Sequence, residues 1–174
     1  MFWISLISLF FLFLIVLSDF KTRQIPIICL TGETIASLCL GFNLIGTSLL
    51  RSTMTNFGII GFQFLVLWVW FKTKDRKLSN GLWSKFGKGD LFMLAISAIN
   101  FSALNYLLFT MLVSVTSIIA WLGVSFIQRN KDQTIPFAGY LAVGLIILRI
   151  FLLSEPGTNY YSDHFLLTQI YGIY

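Results

Sequence analysis

Charge is scarce in this chain. Asp, Glu, Lys and Arg make up 11% of its 174 residues, against 57% hydrophobic and 17% aromatic residues. A soluble domain carries about 25% charged residues, so the composition excludes that class and points to a membrane protein. Histidine is nearly absent: His164, beside Asp163, has no companions to build a catalytic triad or a metal cluster. The two cysteines, Cys29 and Cys39, fall in one apolar segment without a CxxC pair. That supports neither a zinc site nor a disulfide framework, and both cysteines are expected to be small buried hydrophobes. No internal repeat, low-complexity tract or separate soluble domain is visible, so residues 1–174 read as one membrane-embedded domain.

What the chain has is long apolar runs, at Phe2–Leu17, Ile27–Leu50, Phe57–Phe71, Leu91–Ile127 and Pro136–Leu153. Most approach or exceed the ~20 residues that cross a bilayer as a helix. The fourth is too long for one span. Asn100, Ser102 and Asn105 interrupt it, predicting a short segment near Leu91–Ile99 and a full one near Ala103–Ile127. Open strands are excluded, because backbone facing lipid must satisfy its own hydrogen bonds. The expectation is an all-α polytopic membrane protein of about six transmembrane helices. The first run has no basic region before it and no small-residue cleavage site after it, so it reads as a helix rather than a signal peptide.

The net charge of +5 does not imply nucleic acid, because the basic residues cluster at the ends of apolar runs. Lys21 and Arg23, then Lys72, Lys74, Arg76, Lys77, Lys85 and Lys88, then Arg129 and Lys131 occupy three alternate loops and account for ten of the twelve Lys and Arg residues. The positive-inside rule puts those loops in the cytosol and both termini outside, with the tyrosine-rich tail at the outer interface. Arg51 belongs to an outer loop, and Arg149, near the far end of the last run, is expected to snorkel outward.

This topology locates the acids. Asp19 ends the first helix and Asp90 begins the fourth, both at the cytosolic level, where Ile25-Pro26 and Ile135-Pro136 also open helices. Asp75 and Asp132 sit among basic residues in polar loops as solvated charges, while Glu155 and Asp163 belong to the tail. Glu33 lies about two turns into the second helix and is expected to face the bundle interior, as a structural hydrogen-bonding group or a modulator of the site. Two neighbouring carboxylates do not both ionise easily and so share a proton. The ionised one draws a proton from water while the other donates to a peptide carbonyl, which is acid–base hydrolysis without a covalent intermediate. Gly87 and Gly89, just before Asp90, permit a tight turn and leave room for a substrate backbone. The competing reading makes Asp19 an interfacial charge paired with Lys21 or Arg23, and Asp90 a helix N-cap.

Three stretches resemble one family. Asp19-Phe-Lys-Thr-Arg-Gln-Ile25-Pro26 is similar to the Asp-x5-Ile-Pro element of type IV prepilin peptidases. Gly87-Lys88-Gly89-Asp90 resembles their Gly-x-Gly-Asp element, and "TIPFAGYLAVG" (134–144) the Pro-Phe-x-x-x-Leu-Ala-x-Gly stretch that opens their last core helix. The resemblance runs from about Ile4 to Leu153. It implies a six-helix aspartic endopeptidase of the prokaryotic inner membrane, with Asp19 and Asp90 catalytic at the cytosolic face. Gly87, Gly89, Ile25, Pro26, Pro136 and Glu33 would shape the site. The implied partners are a prepilin or pseudopilin with a short basic leader, and membrane lipid, with no cofactor, metal or nucleic acid. Two positions depart from the pattern: Ile27 stands where Asn commonly follows Ile-Pro, and Phe92 where a Lys is common. Nothing corresponds to the cysteine-bearing cytosolic segment of the large methylating enzymes, so the resemblance is to short, peptidase-only forms.

Two other classes compete. Presenilin-like proteases pair Gly-x-Gly-Asp with Tyr-Asp and Pro-Ala-Leu, where this chain has Ser18-Asp19 and Pro136-Phe137. A non-catalytic pilus-assembly scaffold or a small transporter would treat the acids as structural. A transporter calls for polar residues deep in the helices, and few are evident beyond Glu33, Gln63 and the Asn100–Asn105 region.

Overall fold

The computed structural model describes residues 1–74, 87–128, 135–154 and 163, and among them all regular structure is helical. Six helices follow in order: α1 (Phe2–Thr22), α2 (Ile27–Ile45), α3 (Ser48–Lys74), α4 (Lys88–Ile99), α5 (Ala103–Gln128) and α6 (Phe137–Ser154). All but α4 are long and apolar enough to cross a membrane. The twelve residues of α4 rise roughly 18 Å, short of a ~30 Å hydrocarbon core. The protein is an all-α polytopic membrane protein.

The surface and the interior are sorted as lipid demands. Phe10, Phe13, Phe62, Met111, Leu112 and Ile147 are exposed on the outer faces of the helices, whereas Ser8, Glu33, Ser37, Asn56, Ser97, Asn100 and Arg149 are buried. Helices whose apolar faces gain nothing by leaving lipid are held by close packing and by polar side chains that find partners inside. The packed centre runs through Leu12 and Ile15 of α1, Met93 of α4, Tyr106 of α5, and Leu141 and Leu145 of α6. Helix α6 packs against α1, α4 and α5, α2 packs against α1, and α3 lies against α4.

Each helix end has a local cause. Arg23, in the left-handed region at φ 57°, closes α1 with its N–H on the Asp19 carbonyl, and Pro26 then starts α2. Gly46, at φ 58° and ψ −135°, ends α2 in a conformation that side chains resist. The second apolar run therefore stops at Gly46 rather than at Leu50, and α3 begins at Ser48, well before the expected Phe57. The polar stretch that hid this start has a task. The break between α4 and α5 leaves carbonyls unpaired inside the bundle, and α3 supplies the donors. Asn56 Nδ2 donates to the Ala98 and Phe101 carbonyls at 2.8 and 2.7 Å, and Ser52 Oγ to Phe101 at 2.9 Å. Arg51, expected in a loop, lies exposed on α3.

Two further expectations are corrected. Cys39 is exposed on the outer face of α2, while Cys29 is buried as expected. Arg149 does not snorkel: it is 3% exposed, because Glu33, Ser8, Ser37 and Asn100 converge on it within the bundle. The basic loop residues from Arg76 to Lys85, Arg129, Lys131, the acids Asp75, Asp132 and Glu155, and His164 lie outside the described residues.

Candidate active site

The two aspartates meet at the start of α6. Proline at 136 is buried and occupies the position before the first helical residue, so Ala138 and Gly139 fall in the first turn. Amides there have no intrahelical acceptor and must find one elsewhere. Asp90 Oδ1 accepts from the Ala138 N–H at 2.8 Å, and Asp19 Oδ2 from the Gly139 N–H at 2.6 Å. The positive end of the α6 dipole therefore faces both carboxylates. Asp19 is buried, and Asp90 is half-buried.

The glycines explain how the acids reach those amides. Asp90 folds back over its own helix start, and its Oδ2 accepts from the Gly87 N–H at 3.2 Å. A Cβ on Gly87 would stand 2.9 Å from that oxygen. At Gly89 a Cβ would meet the end of Ile25 at 2.8 Å, so the space expected for a substrate backbone is filled at these two positions by Asp90 and Ile25. Of the three glycines at the site Gly139 is the tightest: a Cβ there would lie 2.6 Å from the Phe20 ring and 3.0 Å from Asp19 Oδ2. Phe20 is held edge-on by Tyr140, with ring centres 5.3 Å apart.

Asp90 stands outside the five long helices. Burial pushes its carboxyl above the usual carboxylate range, and the neighbouring Asp19 charge adds to this. The N–H bonds from Ala138 and Gly87 and the more distant Arg23 charge pull the other way without cancelling it. A carboxyl that holds a proton tightly, beside a second acid, has the character of an acid–base pair.

Of the residues expected to shape the site, Ile25, Gly87, Gly89 and Pro136 surround the acids, and Pro26 starts α2 in an exposed position. Glu33 is elsewhere. It is fully buried and accepts from Ser8 and Ser37 at 2.9 and 2.8 Å, and Ser8 lies eleven residues, roughly 16 Å of helix, from Asp19. The amides of Ala138 and Gly139 escape sequence reasoning, because every residue but proline carries one. A glycine three residues beyond Pro136 is the trace they leave. A groove of about 580 Å³ lies between α3, α4, α5 and the start of α6, lined by Phe62, Leu67, Leu94, Thr110, Met111 and Phe137. Among the described residues no group of three or more acids, histidines or cysteines is arranged to hold a metal.

Comparison with protein-family models, with curated proteins and with solved structures finds no match to this chain.

Proposed function

We propose that this protein is an aspartic endopeptidase of the prokaryotic inner membrane. It would cleave the basic leader of a prepilin-like protein at the cytosolic face. The observation that carries the reading is the delivery of Asp19 and Asp90, from two distant helices, to consecutive amides of α6. The three sequence elements that resemble prepilin peptidases supply the substrate class. The apolar groove that Phe137 helps to line suits the apolar helix that follows such a leader.

In this reading the ionised carboxylate takes a proton from water as the water oxygen attacks the scissile carbonyl carbon. The protonated carboxyl donates to the carbonyl oxygen. Collapse of the tetrahedral species breaks the C–N bond, the leaving amine takes a proton, and the dyad is restored. The chemistry requires no cofactor. Incubating the purified protein with a prepilin, wild type against Asp19→Asn and Asp90→Asn, tests it. Cleavage by either variant at the wild-type rate sinks the proposal.

One observation favours a second reading. Both carboxylates cap α6, so a non-catalytic scaffold could retain them for stability alone. A scaffold predicts that pilus assembly survives the double Asp→Asn variant, since an Asn carbonyl can still accept the Gly139 and Ala138 N–H bonds, with only the Gly87 N–H bond given up.

A further inference from the structure

A second polar layer crosses the bundle far from the aspartates. Its hub is Arg149 of α6. Arg149 Nε donates to Ser8 Oγ of α1 at 3.2 Å, and its Nη2 to Ser37 Oγ of α2 at 3.2 Å and to Asn100 Oδ1 at the end of α4. Glu33 lies 3.9 Å from Nη2 and receives the Ser8 and Ser37 hydroxyls on its Oε1. Asn100 Nδ2 completes the ring by donating to Ser37 Oγ at 3.1 Å and to the Ile96 carbonyl at 2.8 Å. Every member is buried. A charge pair at this depth is costly, and groups that span membranes rarely keep one without a use.

On α6, ten residues separate Gly139, which holds Asp19, from Arg149. Eleven separate Asp19 from Ser8 on α1, and ten separate Asp90 from Asn100 on α4. Each interval is roughly 15–17 Å of helix. The same three helices are thus pinned to one another at two levels set at matching distances. Close packing holds these helices together, yet van der Waals contacts alone leave some freedom of axial adjustment. Hydrogen bonds at two levels remove that freedom, and a slip of one residue would move a carboxylate about 1.5 Å along its helix.

We propose that Arg149, with Glu33 as its counter-charge, is a positioning residue that fixes the axial register of α1 and α4 on α6 and so sets where Asp19 and Asp90 stand. Its catalytic consequence rests on the peptidase reading; the register itself does not. Glu33 then influences the site through helix position and not by contact.

The test replaces the charged pair with apolar groups, Arg149→Met with Glu33→Met, which for buried pairs is often neutral for stability. Spin labels at the exposed positions 21 and 135, and at 88 and 135, in a background with Cys29→Ala and Cys39→Ala, report register by electron–electron distance. Both distance distributions should shift or broaden in the double variant. With a prepilin substrate, kcat should fall on the order of 10²-fold at unchanged KM, as a misplacement of about 1 Å does. Arg149→Lys alone, keeping charge but not the forked contacts, should recover only part of the rate. If the double variant does not fold, Ser8→Ala removes α1 from the layer and leaves the ion pair, and the 21–135 distribution alone should broaden. Distance distributions identical to wild type in the folded variant overturn the proposal. A wild-type protein that cleaves no prepilin overturns the peptidase reading instead, and the distances still decide the register.

Discussion

Asp19 and Asp90 accept hydrogen bonds from adjacent backbone amides, those of Gly139 and Ala138, at the first turn of α6. One helix end thus gathers the terminal carboxylates of two others. The acids satisfy amides that would otherwise be orphaned, and in the proposed peptidase the same two carboxyls would share a proton.

Asparagine keeps the cap and abolishes the acid. Asp19→Asn and Asp90→Asn should each lower cleavage by about 10³-fold or more, with the double variant little worse than either, since paired residues act as a unit. The melting temperature of Asp19→Asn should stay near wild type, whereas Asp90→Asn gives up the Gly87 N–H bond and its melt shifts with pH relative to wild type. Asp→Ala at either position, by contrast, removes an acceptor from an N-terminal amide and should cost about 1 kcal/mol of stability. A melt equal to wild type in both alanine variants would show that the caps are dispensable.

Gly139→Ala tests the close approach. The new methyl would meet the Phe20 ring at 2.6 Å and Asp19 Oδ2 at 3.0 Å. Because Tyr140 braces the ring, something must shift. We expect a loss of about 1–3 kcal/mol in stability, together with a drop in kcat as Asp19 leaves the amide. Thermal melts and steady-state cleavage measure both; wild-type values for both would refute the contact.

The raised proton affinity of Asp90 has a sign that can be measured. Burial, reinforced by Asp19, makes the folded carboxyl hold its proton more tightly than the unfolded chain does. Its contribution to stability is therefore fully present below the unfolded pKa and is lost as pH rises through the higher folded value. Asp90→Asn stays neutral throughout and escapes that loss. The melting temperature of the variant relative to wild type should increase as pH rises from below the ordinary carboxylate range and on above it. A constant or decreasing difference contradicts the prediction.

Gly46 separates a backbone effect from a site effect. At φ 58° and ψ −135° it adopts a conformation favoured only by glycine, and a Cβ there would meet nothing within 4 Å. Gly46→Ala should cost about 1–3 kcal/mol through strain alone. It lies at the end of α2 away from Pro26 and the aspartates, so cleavage per folded molecule should be unchanged. A fall in kcat in this variant would mean that the α2–α3 turn communicates with the site.

Much of the fold was legible because lipid simplifies the code. The α4–α5 break was visible in Asn100 and Ser102, and the start of α6 in Pro136, since polar residues and proline have few places to go within an apolar run. The α2–α3 boundary was misplaced because Ser52 and Asn56 look like loop residues until their acceptors, the Phe101 and Ala98 carbonyls, are known. Arg149 misled for the same reason. A lone arginine near a helix end ordinarily reaches for water, and only a glutamate on another helix makes the interior tolerable.

The sequence by itself determined the membrane class, the helices and the placing of Asp19 and Asp90 at helix ends, because hydrophobic length and helix punctuation are local properties. Tertiary structure decided what those acids touch. It chose two amides that leave no signature in a side chain, and it set against them a buried arginine layer at a matching distance along three helices. Such partners are fixed by how helices pack, and packing depends on all of them at once.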